Sequence, residues 1–396
     1  MSNAGLKEWL KIAESLLSMP TAALREDLPK QVIREFVKKR PGLDLHEDAS
    51  GNLLVTYPAR KRVSAPPLVM VAHLDHPGFW VDQIEPSGVV RLAFKGFVSE
   101  PHAIDGSGVA FFEDGNAEPI GRGKIFAAKY EKARLVSSNA RVTRGRAAPH
   151  GYAMWDFPGF SIAHGKVVAR CCDDLLGAAA ALCVLHEIAR AKPQGVAVWG
   201  LFTRAEEVGF LGALEAIRHN LLPRRARVLS LECSKALVSA PQGEGVIVRV
   251  GDRASIFDPL ITEALRLAAQ GVQKRDKRFK FQRKLMDGGS CEATAFCAFG
   301  YSSSGLAVPL GNYHNQAFDK KGKPCIGPES VVIDDFRCEV ELLVELALHP
   351  ELLDPRRCKK PAWLGERIRL ARKALPASAG AAEKEPALRF NQRWTL

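Results

Sequence analysis

Nowhere in the 396 residues does an apolar run approach the roughly 18 residues that a bilayer-crossing helix needs, which excludes a helical membrane span. The N-terminus also lacks the basic-then-apolar order of a secretory leader. Nine cysteines, an odd number scattered between Cys171 and Cys358, make no disulfide framework in a chain of this length. A reducing, cytoplasmic setting is therefore expected. A uniformly basic face is missing too, despite a formal net charge of +12. The excess sits in two segments. Gln273–Lys284 holds seven Lys or Arg against one Asp, and Glu351–Leu396 holds eleven against five acids. The remainder is balanced, so neither a nucleic-acid nor a membrane partner is expected.

What is present is ordinary globular material: 46% hydrophobic and 25% charged residues, enough for a large core and two domains. One stretch organises the rest. Val196–Ala213 reads VAVWGLFTRAEEVGFLGA. Its first half is apolar and rich in β-branched and aromatic residues, the pattern of a strand buried on both faces. Glu206 and Glu207 follow at its C-terminal end, where open α/β sheets place ligands. Adjacent side chains diverge, so one carboxylate can hold a metal while the other faces a reacting water. A first helical turn that favours Glu explains the same pair equally well.

Other strand ends repeat the theme. Leu68–Ala72 is a short buried-strand pattern ending at His73-Leu74-Asp75. In an extended segment His73 and Asp75 share a face, so the carboxylate can orient the imidazole as outer partners do for zinc-bound histidine. From Gly78 to about His164, short alternating segments broken by Gly, Asp and Pro predict a small all-β insertion. The chain returns through Lys166–Ala169 to Cys171-Cys172-Asp173-Asp174, ahead of a helical run Ala178–Ala191; the Asp pair is an N-cap or a carboxylate bridging two cations. Ala226–Leu231 ends at Glu232, and a buried unpaired carboxylate is too costly to be there for packing. Gly288-Gly289-Ser290 allows close backbone approach or makes a plain turn. His314 lies just past an apolar strand. Lys274–Lys284, alternating cations with Phe279 and Phe281, predicts an extended segment with one apolar and one cationic face. That segment is either an edge strand guarded by charge or a lure for acidic peptides beside the site. Beyond Pro350 the composition predicts poor order except around Trp363–Ala374.

Two imidazoles and several carboxylates, each just past a strand, form a donor set that zinc, cobalt or manganese accepts. AHLDHPGF, CCDDLLG, LFTRAEEVGFLGA, LSLECS, DGGSCEA and PLGNYHN, in this order over Leu6–Leu348, resemble the glutamyl and deblocking aminopeptidases that form tetrahedral particles, within the co-catalytic zinc exopeptidases. His73 and Asp173 are 100 residues apart, which fits an insertion between the first and second ligands. Related carboxypeptidases and deacylases insert theirs after the fourth ligand, and here the Glu232–Gly288 interval is too short for a domain.

The resemblance implies a three-layer α/β/α catalytic domain with a central mixed sheet (residues 1–75 and 165–350), an inserted β-barrel-like domain (76–164) and a basic tail (351–396). It implies two divalent ions, zinc first and cobalt or manganese as alternatives, with His73 and Glu232 on one, Glu207 and His314 on the other, and Asp173 bridging. Asp75 would orient His73, Glu206 would act as general base on a water shared by the ions, and Gly288, Gly289 and Ser290 would line the substrate rim. The Asp173–Asp174 peptide would be cis. A homo-oligomeric aminopeptidase acting on short peptides is the expected activity. Alternatives are a metal-dependent amidohydrolase or deacylase on a non-peptide amide, and a silent peptide- or RNA-binding scaffold. Three departures surround the ligands: His76 where the family has Glu, Leu175 where it has Arg or Lys, and Ser290-Cys291-Glu292 where it has Thr-Asp-Ala. Substrate preference is therefore not carried over.

Overall fold

A computed structural model describes residues 3–58, 66–354, 366–367 and 369–370. Of the tail, residues 351–354, 366–367 and 369–370 are described, and the expectations about the rest of it fall outside the described chain.

The apolar runs become a mixed sheet. Its strands, in spatial order, are Asp44–Glu47, Leu53–Tyr57, Val198–Thr203, Leu68–His73, Arg227–Ser230, Ser302–Leu310, Val246–Asp252 and Phe281–Met286, with Cys233–Lys235 pairing the far end of Ser302–Leu310. The four strands in the middle, Val198–Thr203 to Ser302–Leu310, run parallel. Such strands are covered on both faces and read as continuous apolar runs; Leu68–His73 is buried at every position.

Helices cover both faces. Met70, Ala72, Phe202 and Leu229 pack with the helices Asn3–Leu17, Leu175–Ala191, Pro259–Arg275 and Ile333–Leu348. The alternate residues Val69, Val71, Leu201 and Val228 pack with Leu211–Arg218 and Glu292–Ala298. This is the expected α/β/α arrangement. The helix Leu175–Ala191 is apolar around most of its circumference because it lies between the sheet and its neighbouring helices.

Between the strand Leu68–His73 and the Asp pair, six strands from Gly78 to Trp155 close into a barrel around Phe79, Phe111 and Trp155. A separate three-stranded sheet (Ser161–Ala163, Lys166–Ala169 and Glu329–Val332) joins the barrel to the helix at Leu175. Asp173 thus follows a strand, but one outside the central sheet.

The basic run departs from expectation. Lys274 and Arg275 end a helix whose apolar spacing continues past Gln270. Residues 276–280 form a turn with Phe279 buried, and only Phe281–Met286 is extended. Side chains alternate along that strand, so Arg283 shares a face with Phe281 and Leu285 while Lys284 shares one with Met286. There is no continuous cationic face.

Candidate metal centre

The four middle strands deliver their C-terminal ends to one place. His73 closes one strand; Glu206 and Glu207 follow Thr203, Glu232 follows Ser230, and His314 follows Leu310 in a short turn, Tyr313–Asn315. Asp173 enters from the side sheet through a cis Asp173–Asp174 peptide, as the resemblance implies.

The motif around the Glu pair is shaped by two glycines. Gly209 has φ +114°, a conformation that side chains resist, and a Cβ on Gly212 would lie 2.5 Å from the Arg204 nitrogen and the Asn52 side chain. The turn is held from outside by buried Glu26. Its carboxylate accepts from the Ala205 amide at 3.1 Å and from Arg204 Nε at 2.8 Å.

The donor atoms form three overlapping groups, each within 4.8 Å: His73, Asp173 and Glu232; Asp173, Glu207 and His314; and His73, Glu206 and Glu207. The first two share Asp173 and reproduce the ligand sets implied by the resemblance. His73 Nε2 is 3.6 Å from one Asp173 oxygen, and His314 Nε2 is 3.5 Å from the other. Glu207 Oε1 lies 3.1 Å from His314 Nε2, and Glu206 Oε2 lies 3.8 Å from His73 Nε2.

Surrounding groups fix these side chains. His73 Nδ1 faces the Asp75 carbonyl at 3.1 Å and the Asp75 carboxylate at 3.4 Å, which leaves Nε2 turned toward the carboxylates. The Asp75 carboxylate also accepts from the amides of Glu206 (2.9 Å) and Glu207 (3.2 Å), so it aligns the Glu pair as well as the imidazole. His314 Nδ1 donates to the Phe97 carbonyl at 2.8 Å, a contact supplied by the barrel. Ser230 donates to Glu232 at 3.1 Å.

The electrostatics are those of a cluster short of positive charge. Burial pushes Glu206 well above the usual carboxylate range; His73 opposes this and Glu207 and Glu232 reinforce it. Burial, then Asp173, pushes Glu232 up to about 8. Burial also acts to raise Asp173, but the imidazoles of His314 and His73 beside it outweigh burial and hold it below the usual range. Burial works against charge on the two histidines, yet Glu206 and Asp173 raise His73, and Glu207 and Asp173 raise His314. Asp173 Oδ1 and Glu207 Oε1 are buried without a hydrogen-bond partner. Hard oxygens and imidazole nitrogens, converging with oxygens unsatisfied, fit a pair of divalent cations.

A cavity of about 140 Å³ opens beside the cluster and is lined by Gly288, Gly289 and Ser290 with Lys235, Arg249 and Tyr313 among others. The candidate donors, Asp75 and the three rim residues are thus brought together, and the basic run is not. Sequence reasoning missed Glu329, which accepts from the amides of Cys172 (2.7 Å), Asp173 (3.1 Å) and His314 (2.8 Å). It also missed Arg249, a buried guanidinium on the wall of the cavity. Glu329 lies in an alternating strand after a proline, and a buried strand Glu was the available signal. Arg249, one cation inside an apolar strand, offered a weaker one.

Sheet, barrel and paired donor triads together describe an α/β scaffold that carries a candidate metal centre. More specifically, residues 146–319 match the family model for the M42 glutamyl aminopeptidases, so the resemblance drawn from the motifs is borne out. A protein of Acetivibrio thermocellus, whose aminopeptidase name is provisional, is 23% identical over 340 residues, covering 81% of this chain and 92% of its own length. Among solved structures, an aminopeptidase from the archaeon Desulfurococcus kamchatkensis superposes with a TM-score of 0.71 at 19% identity, covering 89% of this chain and 99% of that one. The Pyrococcus horikoshii TET1 peptidase, which assembles into a tetrahedron or a large octahedral shell, gives 0.68 at 20% identity, covering 86% and 99%. At these identities the structures establish the fold.

Proposed function

We propose that this chain is a two-metal aminopeptidase that removes N-terminal residues from short peptides, works as a homo-oligomer and is cytoplasmic. One observation carries the reading: two donor triads share Asp173 at the C-terminal ends of parallel strands, beside a cavity. His73 and Glu232 would hold one ion and Glu207 and His314 the other, with zinc the first candidate for a set of imidazoles and carboxylates. When bound, the ions supply Lewis acidity toward a water and a peptide carbonyl.

The chain's own groups do the rest. Glu206 stands over His73 without being needed in either triad, and its carboxylate is free to take a proton from the attacking water and pass it to the leaving amine. Asp75 sets the direction of that carboxylate through the Glu206 amide. Gly288 and Gly289 line the cavity where the substrate backbone would lie; neither glycine would bring a Cβ near another group. Arg249, whose Nε has no hydrogen-bond partner, and the exposed Lys235 give the cavity a positive wall that suits an acidic N-terminal side chain.

Metal-reconstituted protein screened against aminoacyl-anilides, N-blocked peptides and acylated amines tests this. Release from free-amine substrates is expected. Turnover of acylated amines alone would instead identify an amidohydrolase, and no turnover in a metal-loaded protein a scaffold.

A further inference from the structure

His76 is buried immediately beyond Asp75, and neither the proposed ligand sets nor the proposed proton transfer uses it. Its Nδ1 is 2.6 Å from the main-chain oxygen of Asp173, and its Nε2 is 3.0 Å from Asn315 Oδ1. The orientation of the Asn315 amide is settled by its other end, since Nδ2 donates to the carbonyls of Arg170 (3.0 Å) and Gly327 (3.3 Å). Both ring nitrogens therefore lie within hydrogen-bond distance of oxygens that can only accept, so the imidazole is the side that donates. One of those oxygens belongs to Asp173, shared by both triads. The other belongs to the residue after His314. The His76 ring also meets the His314 ring edge-on, with centroids 6.3 Å apart.

From this we infer that His76 is a positioning residue that sets the separation of Asp173 and His314, and with it the affinity of the second cation site. The inference rests on the two-metal reading above. Chain connectivity explains why the role falls to this position. His73 is a donor, Asp75 aligns Glu206 and Glu207, and His76 reaches the segments of Asp173 and His314, so one strand end ties three of the proposed ligand-bearing loops together. Glu329 joins the same two segments through their amides, while His76 and Asn315 join them through Asp173 O and Arg170 O. Without His76 the Asp173 carbonyl keeps only the weak Cys171 thiol donor at 3.3 Å, and the two segments are held by Glu329 and by the Asn315–Arg170 contact alone.

Outer partners of metal ligands commonly contribute about 10- to 100-fold to metal affinity. The test is titration of the metal-free full-length protein with cobalt(II), followed by visible absorption and calorimetry. The parent should take up two equivalents. His76→Ala should take up one at near-parent affinity and the second at least about 10-fold more weakly, with the absorption of the second equivalent altered. His76→Gln, which keeps one amide donor, should recover part of the loss. Parent-like binding of both equivalents by folded His76→Ala would overturn the role of His76 while leaving the two-metal reading intact. A parent chain that binds no cobalt would instead sink that reading. Should His76→Ala fail to fold, Asn315→Ala takes its place: it removes one acceptor of His76 and should weaken the same second equivalent, and unchanged binding there would equally overturn the proposal.

Discussion

Glu206 and Glu207 are neighbours in sequence with different surroundings, and their substitution should separate their roles. Glu206→Gln should keep both metal equivalents and lose about 10²- to 10⁴-fold in turnover, because the amide cannot take a proton; metal loss on elemental analysis would exchange the two assignments. Glu207→Ala and His314→Ala should each empty one site and leave the other partly filled, and two full equivalents in both would remove them from the ligand set. Glu292 makes a prediction about stability. Burial pushes its carboxyl up to about 7 from an ordinary 4.5, and both of its oxygens lack a hydrogen-bond partner. The folded protein holds this proton more tightly than the unfolded chain, so its contribution is fully present below about pH 4.5 and is lost as the pH climbs through 7. Relative to the parent, Glu292→Gln should gain about 2–6 °C in Tm between pH 5 and pH 8. A pH-independent difference in thermal melts would show that the side chain does not titrate in this range.

At the scale of elements, the basic run and the site separate. Among the described residues Phe281–Met286 is the last strand of the sheet and pairs only with Val246–Asp252, and Arg283 and Lys284 discourage further strand pairing there. Lys280 is already paired with Glu244. The cations lining the cavity are the exposed Lys235 and the buried Arg249. Lys235→Gln should therefore lower kcat/KM for N-terminal Glu substrates about threefold or more, with the loss shrinking as salt rises. The triple change Lys277, Lys280 and Lys284 to Gln should leave the ratio of acidic to neutral rates unchanged in the same assay. The strands and the candidate donors at their ends were legible in the sequence because apolar runs stop abruptly at His or Glu, and a polar group at such a boundary has few packing explanations. The basic run was misread because alternation of charge with Phe279 and Phe281 imitates a strand, while the apolar face of the preceding helix continues to Val272. Glu329 and His76 were not legible as clamps. Their partners are main-chain groups far away in sequence, and no side-chain pattern records them.

Across the whole molecule, the barrel and the sheet complete one centre. Phe97 in the barrel accepts from His314. The hairpin Gln316–Phe318 and Pro324–Ile326 leans back on the barrel, with Gln316 accepting from the Ser99 amide at 2.9 Å and His102 Nδ1 lying 3.1 Å from the Ala317 carbonyl. Trp155→Ala in the barrel core should cost about 3–5 kcal/mol. If the two parts act as one, that lesion should shift a single thermal transition and weaken the second cobalt equivalent. Two separate transitions, with metal binding untouched by the first, would show the barrel to be dispensable to the centre.

The positions of the donors have a kinetic consequence. They are drawn from residues 73, 173, 206, 207, 232 and 314, and no neighbouring turn could assemble them alone. On the proposed assignment each ion is a removable stitch between stretches of chain far apart in sequence, with Asp173 the point where both threads cross. Loosening any one loop means undoing a stitch first. The lifetime of the folded chain against protease or denaturant would then be set by the free concentration of divalent cation, and a cell short of metal would clear this protein by losing it rather than by leaving it idle.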